Sequence, residues 1–407
     1  MNCRNCNSKL SNVFCDLVTC PPSNAMLLVD DLNSPEKYFP LKVFVCDSCW
    51  LVQVDELEKA EDIFNDKYTY FSSFSSSWLY HAKNYVNKVT EQFNLNNSSL
   101  VVEIASNDGY LLQYFKEKGI PAIGVEPTAN TAKVAIEKGI ETWIEFFNSN
   151  MASNKLAQKV DLILGNNVLA HLPDINDFVK GVKISLKKDG FCTFEFPHLC
   201  KLVEENQFDT IYHEHFSYLS FIAVETIFEK NGLVIFDVEE LATHGGSLRI
   251  YAKNKENKPK QISINVAAIK KKEKQLGVDS ISYYLNFQTR VNNVRDTFLT
   301  FLIEQKKLGK KVVGYGAAAK GNTLLNYAGV KGSDLIKFVV DASIYKQDKF
   351  LPGSRIPVYS PEKIREEKPD WVIIFPWNLK VEISSRLNFI KDWGGQFVTF
   401  IPDKHIF

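Results

Sequence analysis

Short apolar runs alternating with stretches of helical spacing fill the middle of this chain. Leu100-Val101-Val102-Glu103-Ile104, Ile120 to Glu126, Val160-Asp161-Leu162-Ile163-Leu164-Gly165 and Gly190 to Phe196 are apolar at successive positions, as strands covered on both faces are. Tyr110 to Lys118 and Ala129 to Lys138, between them, repeat apolar residues with helical period. Strand and helix in alternation predict a doubly wound, mostly parallel sheet. The plan recurs from Lys311: Val312-Val313-Gly314-Tyr315-Gly316 leads through small residues into a helix, and Ile336 to Asp341 and Trp371 to Phe375 follow as strands. Between the two blocks a lysine-rich stretch, Lys253 to Lys274, breaks the pattern, and Ile281 to Leu308 reads as a long amphipathic connector helix.

The first fifty residues are organised by cysteine instead. Six of the eight cysteines lie there, and Cys3-x-x-Cys6 and Cys46-x-x-Cys49 are two knuckles that bring four thiolates to the corners of one tetrahedron. Redox pairs would carry a flanking strand and helix, which these lack. A four-thiolate site is closed, so the expected zinc is structural, stabilising a ribbon with little core of its own; Cys15 and Cys20 are read as non-ligands. The expected class is therefore α/β in three parts: a zinc-binding ribbon and loop at 1–75, a doubly wound domain at 76–260 and a smaller Rossmann-like domain at 261–407. A length of 407 residues agrees with more than one core.

Charge narrows the partners. Lys plus Arg and Asp plus Glu are 48 each, so no net field recruits nucleic acid or an anionic membrane. The start Met1-Asn2-Cys3-Arg4 has no apolar leader and no later run approaches a membrane span, so the expectation is a soluble cytoplasmic protein, a monomer unless a surface shows otherwise.

Three motifs carry chemistry. Glu103-Ile104-Ala105-Ser106-Asn107-Asp108-Gly109 follows a strand and opens a helix, yet lacks the glycines that seat a pyrophosphate. An acidic strand end is retained, and Glu126-Pro127, about twenty residues on, ends the next strand where a ribose diol is held. Together they favour an adenosine cofactor without phosphate, S-adenosylmethionine, whose reactive end would meet Asn166 and Asn167 after the fourth strand. Tyr212-His213-Glu214-His215-Phe216-Ser217-Tyr218 packs a base, a carboxylate and phenolic donors into seven residues. Its bland alternative is a strand edge with satisfied histidines. His244-Gly245-Gly246-Ser247-Leu248-Arg249 is either a turn before a strand or a close ligand approach with a guanidinium fork. Gly314 to Gly321 would place amides and Lys320 near phosphate. His171 and His198, at strand ends, either line the site or are merely satisfied, and the aromatic, hydroxyl-rich stretch from Tyr68 to Trp78 is either a linker or a loop over a polar ligand.

These residues together resemble the S-adenosylmethionine-dependent C-methyltransferases of deoxysugar biosynthesis, which act on nucleotide-linked keto sugars. The resemblance covers the cysteine knuckles, Tyr-x-Tyr-Phe-Ser-Ser at 68–73, and the motifs at 103–109, 212–218, 244–249 and 314–321. It implies a base at His215, with Glu214, Tyr212 and Tyr70 around the sugar; cofactor contacts from Glu103, Ala105, Ser106, Asn107, Asp108, Glu126, Pro127, Asn166 and Asn167; and sugar-nucleotide contacts from Tyr68, Ser72, His171, His198, His244, Arg249, Lys320 and Asn322. The expected reaction is methylation at carbon beside a ketone, C-3 of a 4-keto sugar, through an enolate, with His and Tyr exchangeable between base and oxyanion roles. An O- or N-methyltransferase would need no enolate, a sugar-nucleotide-binding protein without turnover would not need the intact 212–215 set, and a nicotinamide enzyme would need a different glycine spacing.

Overall fold

The computed structural model describes residues 1–66, 68, 70–257 and 261–407. Thr69 of the aromatic loop, and Lys258, Pro259 and Lys260 of the lysine-rich stretch, lie outside the described residues, and with them the expected boundary at 260.

The N-terminal sheet is antiparallel, with strands β1 (Asn12–Cys20), β2 (Phe39–Val45) and β3 (Val52–Val54). It does not stop there. Its fourth strand is borrowed from residue 217 onward, where Ser217 and Tyr218 pair with Gln53 and Val52. So short a ribbon buries too little apolar surface to stand alone. Cys15 and Cys20 are buried in this sheet's core, where burial pushes the Cys20 thiol up to about 12.

The central sheet contains β4 (Val101–Ile104), β5 (Ala122–Val125), β6 (Glu141–Trp143), β7 (Val160–Asn166) and β8 (Leu186–Pro197), all parallel. The borrowed strand is β9 (Ser217–Tyr218), and a hairpin of β10 (Leu233–Leu241) and β11 (Ser247–Asn254) completes the edge, giving the order β10-β11-β8-β7-β4-β5-β6. The order reverses between β4 and β7, which opens a crevice at their carboxyl ends. Helix Ser76–Gln92 covers one face with Trp78, Ala82, Tyr85, Val86 and Val89, a single helical stripe, and starts where the Ser75 hydroxyl accepts the Trp78 N–H.

The C-terminal sheet is a second doubly wound one. Its strands β12 (Val312–Tyr315), β13 (Val339–Val340), β14 (Lys349–Phe350), β15 (Pro357–Tyr359), β16 (Trp371–Ile374), β17 (Gln396–Thr399) and β18 (His405–Ile406) run in the order β14-β15-β13-β12-β16-β17-β18. Only the edge strands β14 and β18 are antiparallel.

The connector helix runs over Phe287–Lys307, starting later than its pattern suggests because Ile281–Tyr283 forms a separate 3-10 turn. Phe287 stacks on Phe14 of β1 at 4.5 Å, and Phe298 and Phe301 meet Phe400 at 4.9 and 5.4 Å. The N-terminal sheet, this helix and the C-terminal domain thus share one core. Part of the lysine-rich stretch is also helix, Ile264–Leu276, which the polar sequence hides because only Val266, Ile269 and Glu273 are buried; Gly277, at φ 83, caps it. Among the described residues no helix is long and apolar enough to cross a membrane.

Candidate active site

One cavity of about 610 Å³ lies where the three parts meet, and its wall takes residues from each. At the carboxyl end of β4 the chain turns through Ala105 at φ 56 and Asn107 at φ 51, left-handed conformations adopted without glycine. The turn is held in place: the Asn107 N–H donates to Glu126 Oε2 at 2.8 Å, and the Thr128 N–H donates to Glu126 Oε1 at 2.9 Å. Burial pushes the Glu126 carboxyl up from its ordinary range. Ala105, Asn107, Glu126, Pro127, Asn166 and Asn167 are on the cavity wall.

Glu103, Ser106 and Asp108 are not on that wall. Glu103 is fully buried inside the sheet beside Tyr110, and burial drives its carboxyl well up. Ser106 fills the space left by Gly124, where a Cβ would come within 2.3 Å of its hydroxyl. Asp108 faces the aromatic loop, accepting the Ser73 N–H at 3.2 Å. The sequence places all three in the turn but cannot say which of its faces meets the cavity.

That loop is a roof over the turn. Asn107 Oδ1 accepts the Ser72 N–H at 2.9 Å while its amide donates to the Tyr70 carbonyl at 3.1 Å, and the Asn130 amide donates to the Tyr68 carbonyl at 2.6 Å. With its backbone fastened, the loop presents Tyr68, Tyr70 and Ser72 to the cavity. Phe71 stacks on Tyr345 of the C-terminal domain at 4.8 Å and closes the roof from the far side.

The segment at 212–215 is a turn, its His215 N–H bonded to the Tyr212 carbonyl at 2.9 Å. A turn puts the first and fourth side chains together: Tyr212 Oη lies 2.9 Å from His215 Nε2. His215 Nδ1 lies 2.8 Å from the Thr210 carbonyl, which only accepts, so Nδ1 carries the proton and Nε2 accepts from the Tyr212 hydroxyl. Burial and the neighbouring His171 hold His215 well below its usual range, and burial raises Tyr212, so the pair is neutral. The His171 ring stands 4.7 Å from that of His215, and its Nδ1–H donates to the Glu214 carbonyl at 2.7 Å.

Glu214 does not orient His215. The turn sends its side chain the other way, where Oε1 accepts from the Asn24 amide at 2.6 Å, and burial pushes its carboxyl up to about 7. The carboxylate that the sequence places next to the base is instead a second polar group on the same wall, and the Thr210 carbonyl sets the base. His213 faces away and bonds the Pro40 carbonyl at 3.1 Å.

The C-terminal wall begins at Gly316, φ 94, and the helix Ala319–Tyr327. Lys320 donates to Asn378 Oδ1 at 3.0 Å and lies over the Trp377 ring at 4.3 Å; burial lowers its ammonium, with Asp209 opposing. Every lysine and arginine on the cavity wall among the described residues, Lys320, Lys346 and Arg386, comes from this domain. Lys346 and Arg386, like Asn24, stand in no motif. Lys346 follows the acidic end of β13, a carboxyl-end position that could have signalled it; Arg386 and Asn24 leave no signal.

Of the remaining expected ligand contacts, His244 is on the wall. Three are not. His198 is buried with Nε2 2.7 Å from Glu273 Oε1, whose carboxylate also accepts the Phe221 and Ile222 N–H groups at a helix start. Arg249 is buried in an ion pair with Glu195 of β8. Asn322 faces the inside of its helix, bonded to Asn326 at 3.2 Å. His198 and Arg249 have charged partners in the core that sequence spacing does not reveal, while Asn322 is turned inward by its own helix, toward Asn326 one turn on.

The metal site is separate from this cavity. The sulfurs of Cys3, Cys6, Cys46 and Cys49 all lie within 4.8 Å of one another, with Cys3 to Cys49 and Cys6 to Cys46 at 3.5 Å. A tetrahedron with Zn–S bonds of about 2.3 Å has edges of about 3.8 Å, so the four fit a zinc ion. The Gln53 amide donates to Cys3 Sγ at 3.2 Å, an outer contact of the kind that orients a thiolate.

A sheet order with one reversal, a cofactor turn without phosphate glycines and an acidic end to β5 define an S-adenosylmethionine-dependent methyltransferase. Three family models divide the chain: a zinc binding domain at 3–64, a methyltransferase domain at 78–238 and a C-methyltransferase C-terminal domain at 242–402. The last begins before β11, which hydrogen-bonds within the central sheet. The chain is 34% identical over 388 residues to C-methyltransferase NovU of Streptomyces niveus, covering 95% of this chain and 92% of that protein. It belongs to the C-methyltransferase family, and is an S-adenosylmethionine-dependent C-methyltransferase with a zinc-binding domain. Among solved structures, the PH0226 protein of Pyrococcus horikoshii overlaps with a TM-score of 0.39 at 14% identity, over 46% of this chain and 95% of that one. Magnesium protoporphyrin IX methyltransferase of Synechocystis, with bound S-adenosylmethionine, overlaps with a TM-score of 0.34 at 16% identity, over 43% of this chain and 78% of that one. Neither bears on which carbon this chain methylates.

Proposed function

We propose that the chain methylates carbon 3, beside the ketone, of a nucleotide-linked 4-keto-deoxysugar, as a cytoplasmic step of deoxysugar or polysaccharide biosynthesis. The observation that carries the reading is the neutral Tyr212–His215 pair at the junction of two crevices, one with Glu126 and one with Lys320, Lys346 and Arg386. A carbon acid requires a neutral base out of water, and a C–H becomes acidic enough only where a neighbouring carbonyl takes the charge as an enolate.

Glu126 and the turn at 105–107 hold the adenosine ribose, and Asn166 and Asn167 flank the reactive end. When bound, the cofactor supplies an electrophilic methyl on a sulfonium. Lys320, Lys346 and Arg386 face the diphosphate. The C-3 proton passes to His215 Nε2, directly or through the Tyr212 hydroxyl, while Thr210 keeps the Nδ1 proton in place. Tyr70 and Tyr68 close over the sugar, and Glu214 accepts from a sugar hydroxyl. The boundaries 1–75, 76–260 and 261–407 then divide the work into a structural ribbon with its roof loop, a cofactor domain and a nucleotide domain. NovU, whose name specifies C-methylation, supports the reaction class.

The test is incubation with nucleotide-linked 4-keto-6-deoxy sugars in deuterated water. Without cofactor, deuterium should enter beside the ketone; with it, one methyl should be gained on carbon. His215→Ala should lose both by about 1000-fold while binding S-adenosylmethionine as the wild type does. Methylation at oxygen or nitrogen, or exchange undiminished in that variant, would refute the reading.

A further inference from the structure

The turn that carries His244 is held in an unusual way. His244 has φ 53, a left-handed backbone that a histidine rarely adopts unless its surroundings impose it. Two restraints reach it from one residue of β8, the fully buried Glu195. Through its side chain, Glu195 Oε1 accepts the Thr243 hydroxyl at 2.7 Å, the residue just before His244. Through its backbone, the Glu195 carbonyl accepts the Asn167 N–H at 2.7 Å, and the Asn167 amide in turn lies 2.9 Å from His244 Nε2. Asn167 is itself left-handed, at φ 58. The other carboxylate oxygen of Glu195 takes Arg249 and the His81 ring at 2.8 Å. Burial, the largest influence, pushes Glu195 up, but Arg249, His81 and the Thr243 hydroxyl together outweigh it and hold the carboxyl down at about 2, so it is a carboxylate at any working pH.

This geometry decides which nitrogen of His244 is free. An amide N–H only donates, so Nε2 accepts and the ring proton is on Nδ1. Among the described residues Nδ1 has no hydrogen-bond partner, and His244 is on the cavity wall with its ring edge-on to Trp78 at 5.0 Å. Burial and the nearby Lys320 hold the imidazole down at about 4, so it stays neutral. A neutral imidazole N–H in a closed cavity donates to an oxygen that gains charge, without itself losing a proton.

We propose that His244 is a catalytic residue that donates from Nδ1 to the keto oxygen of the substrate as it becomes an enolate, and that Glu195 is the positioning residue that aims it. This rests on the keto-sugar reading above. It also gives Arg249 a purpose other than ligand contact: it keeps Glu195 ionised.

The experiment measures deuterium wash-in and methyl transfer on thymidine diphosphate 4-keto-6-deoxyglucose with the full chain. His244→Gly suits the left-handed backbone and removes the whole ring with its Nδ1–H, so strain and chemistry are separated. Wash-in and kcat should both fall about 100-fold, with S-adenosylmethionine affinity within about twofold of wild type. Thr243→Val deletes one link to Glu195 at constant shape and should lower kcat several-fold with KM unchanged; Thr243→Ser, which restores the hydroxyl, should recover it. Glu195→Gln should act like Thr243→Val, and the valine variant reports even where the buried glutamine prevents folding. Wild-type wash-in that persists undiminished in His244→Gly overturns the role of His244 alone. Absence of wash-in and methylation in the wild type overturns the keto-sugar reading and this one with it. A rise in KM with kcat unchanged in Thr243→Val overturns the positioning role of Glu195.

Discussion

At the carboxyl end of β4 the chain turns through Ala105 and Asn107; at the carboxyl end of β12 it turns through Gly316. Both turns lie between a buried strand and a helix, and both open on the same cavity. The first is left-handed at Ala105 and Asn107 without glycine, held there by Glu126 and the roof loop, and takes a glycine at its exit, Gly109 at φ 74. The second cannot do without glycine: a Cβ on Gly316 would meet Pro376 at 2.5 Å, and one on Gly321 would meet Phe375 at 2.7 Å. Charge differs too: the lysines and arginine of the wall, Lys320, Lys346 and Arg386, all stand on the second side, where Asp341 and Glu382 accompany them, while Glu126 stands on the first. The comparison teaches that one local plan builds two crevices that differ in charge, and that side chains flanking the turn, more than the turn, set that difference.

The largest effect should come from the acidic side. Glu126→Ala removes a carboxylate that holds the turn and, on the proposed reading, meets the ribose, and S-adenosylmethionine affinity should fall about 100-fold by calorimetry while thymidine diphosphate binds as before. Equal losses for both ligands would mean the crevices are not independent. The reciprocal change, Lys320→Met, should weaken thymidine diphosphate about 30-fold and leave the cofactor alone, and the difference should shrink as salt is raised. A shift in cofactor affinity of the same size would break the division.

A third effect, on stability and not on affinity, sits between the crevices at Glu214. Its carboxyl is raised to about 7 in the fold against an ordinary value near 4.5. Between those values the folded chain keeps a proton that the unfolded chain has lost, so stability is greatest below about 4.5 and falls as pH rises to about 7, by at most about 1.4 kcal/mol per unit. Glu214→Gln cannot ionise and should remove that slope from urea midpoints measured across the window. A slope unchanged in the variant would place the titration elsewhere.

Much of this was legible before any coordinates. The alternation of strands and helices, the knuckles at 3–6 and 46–49 and the dense segment at 212–218 all repeat over short distances, where spacing alone fixes neighbours. The helix Ile264–Leu276 was not legible, since its exposed lysines mask a narrow buried stripe. Nor were His198 and Arg249: each meets a carboxylate, Glu273 or Glu195, that lies 75 or 54 residues away along the chain. A histidine or arginine at a strand end looks the same whether it faces a ligand or a buried partner.

By itself the sequence determined what depends on nearest neighbours: the element types, the four-thiolate site, the acidic ends of β4 and β5 and the presence of a base beside a phenol. Tertiary structure alone decided which proton the base carries, because that rests on the Thr210 carbonyl closing on His215 Nδ1 at 2.8 Å. It also decided that Glu214 answers to Asn24 of the N-terminal part, that β9 completes the ribbon's sheet, and that Glu195 restrains both Asn167 and His244. Hydrogen-bond direction and burial are properties of atoms brought together from distant parts of the chain, and local pattern has no access to them.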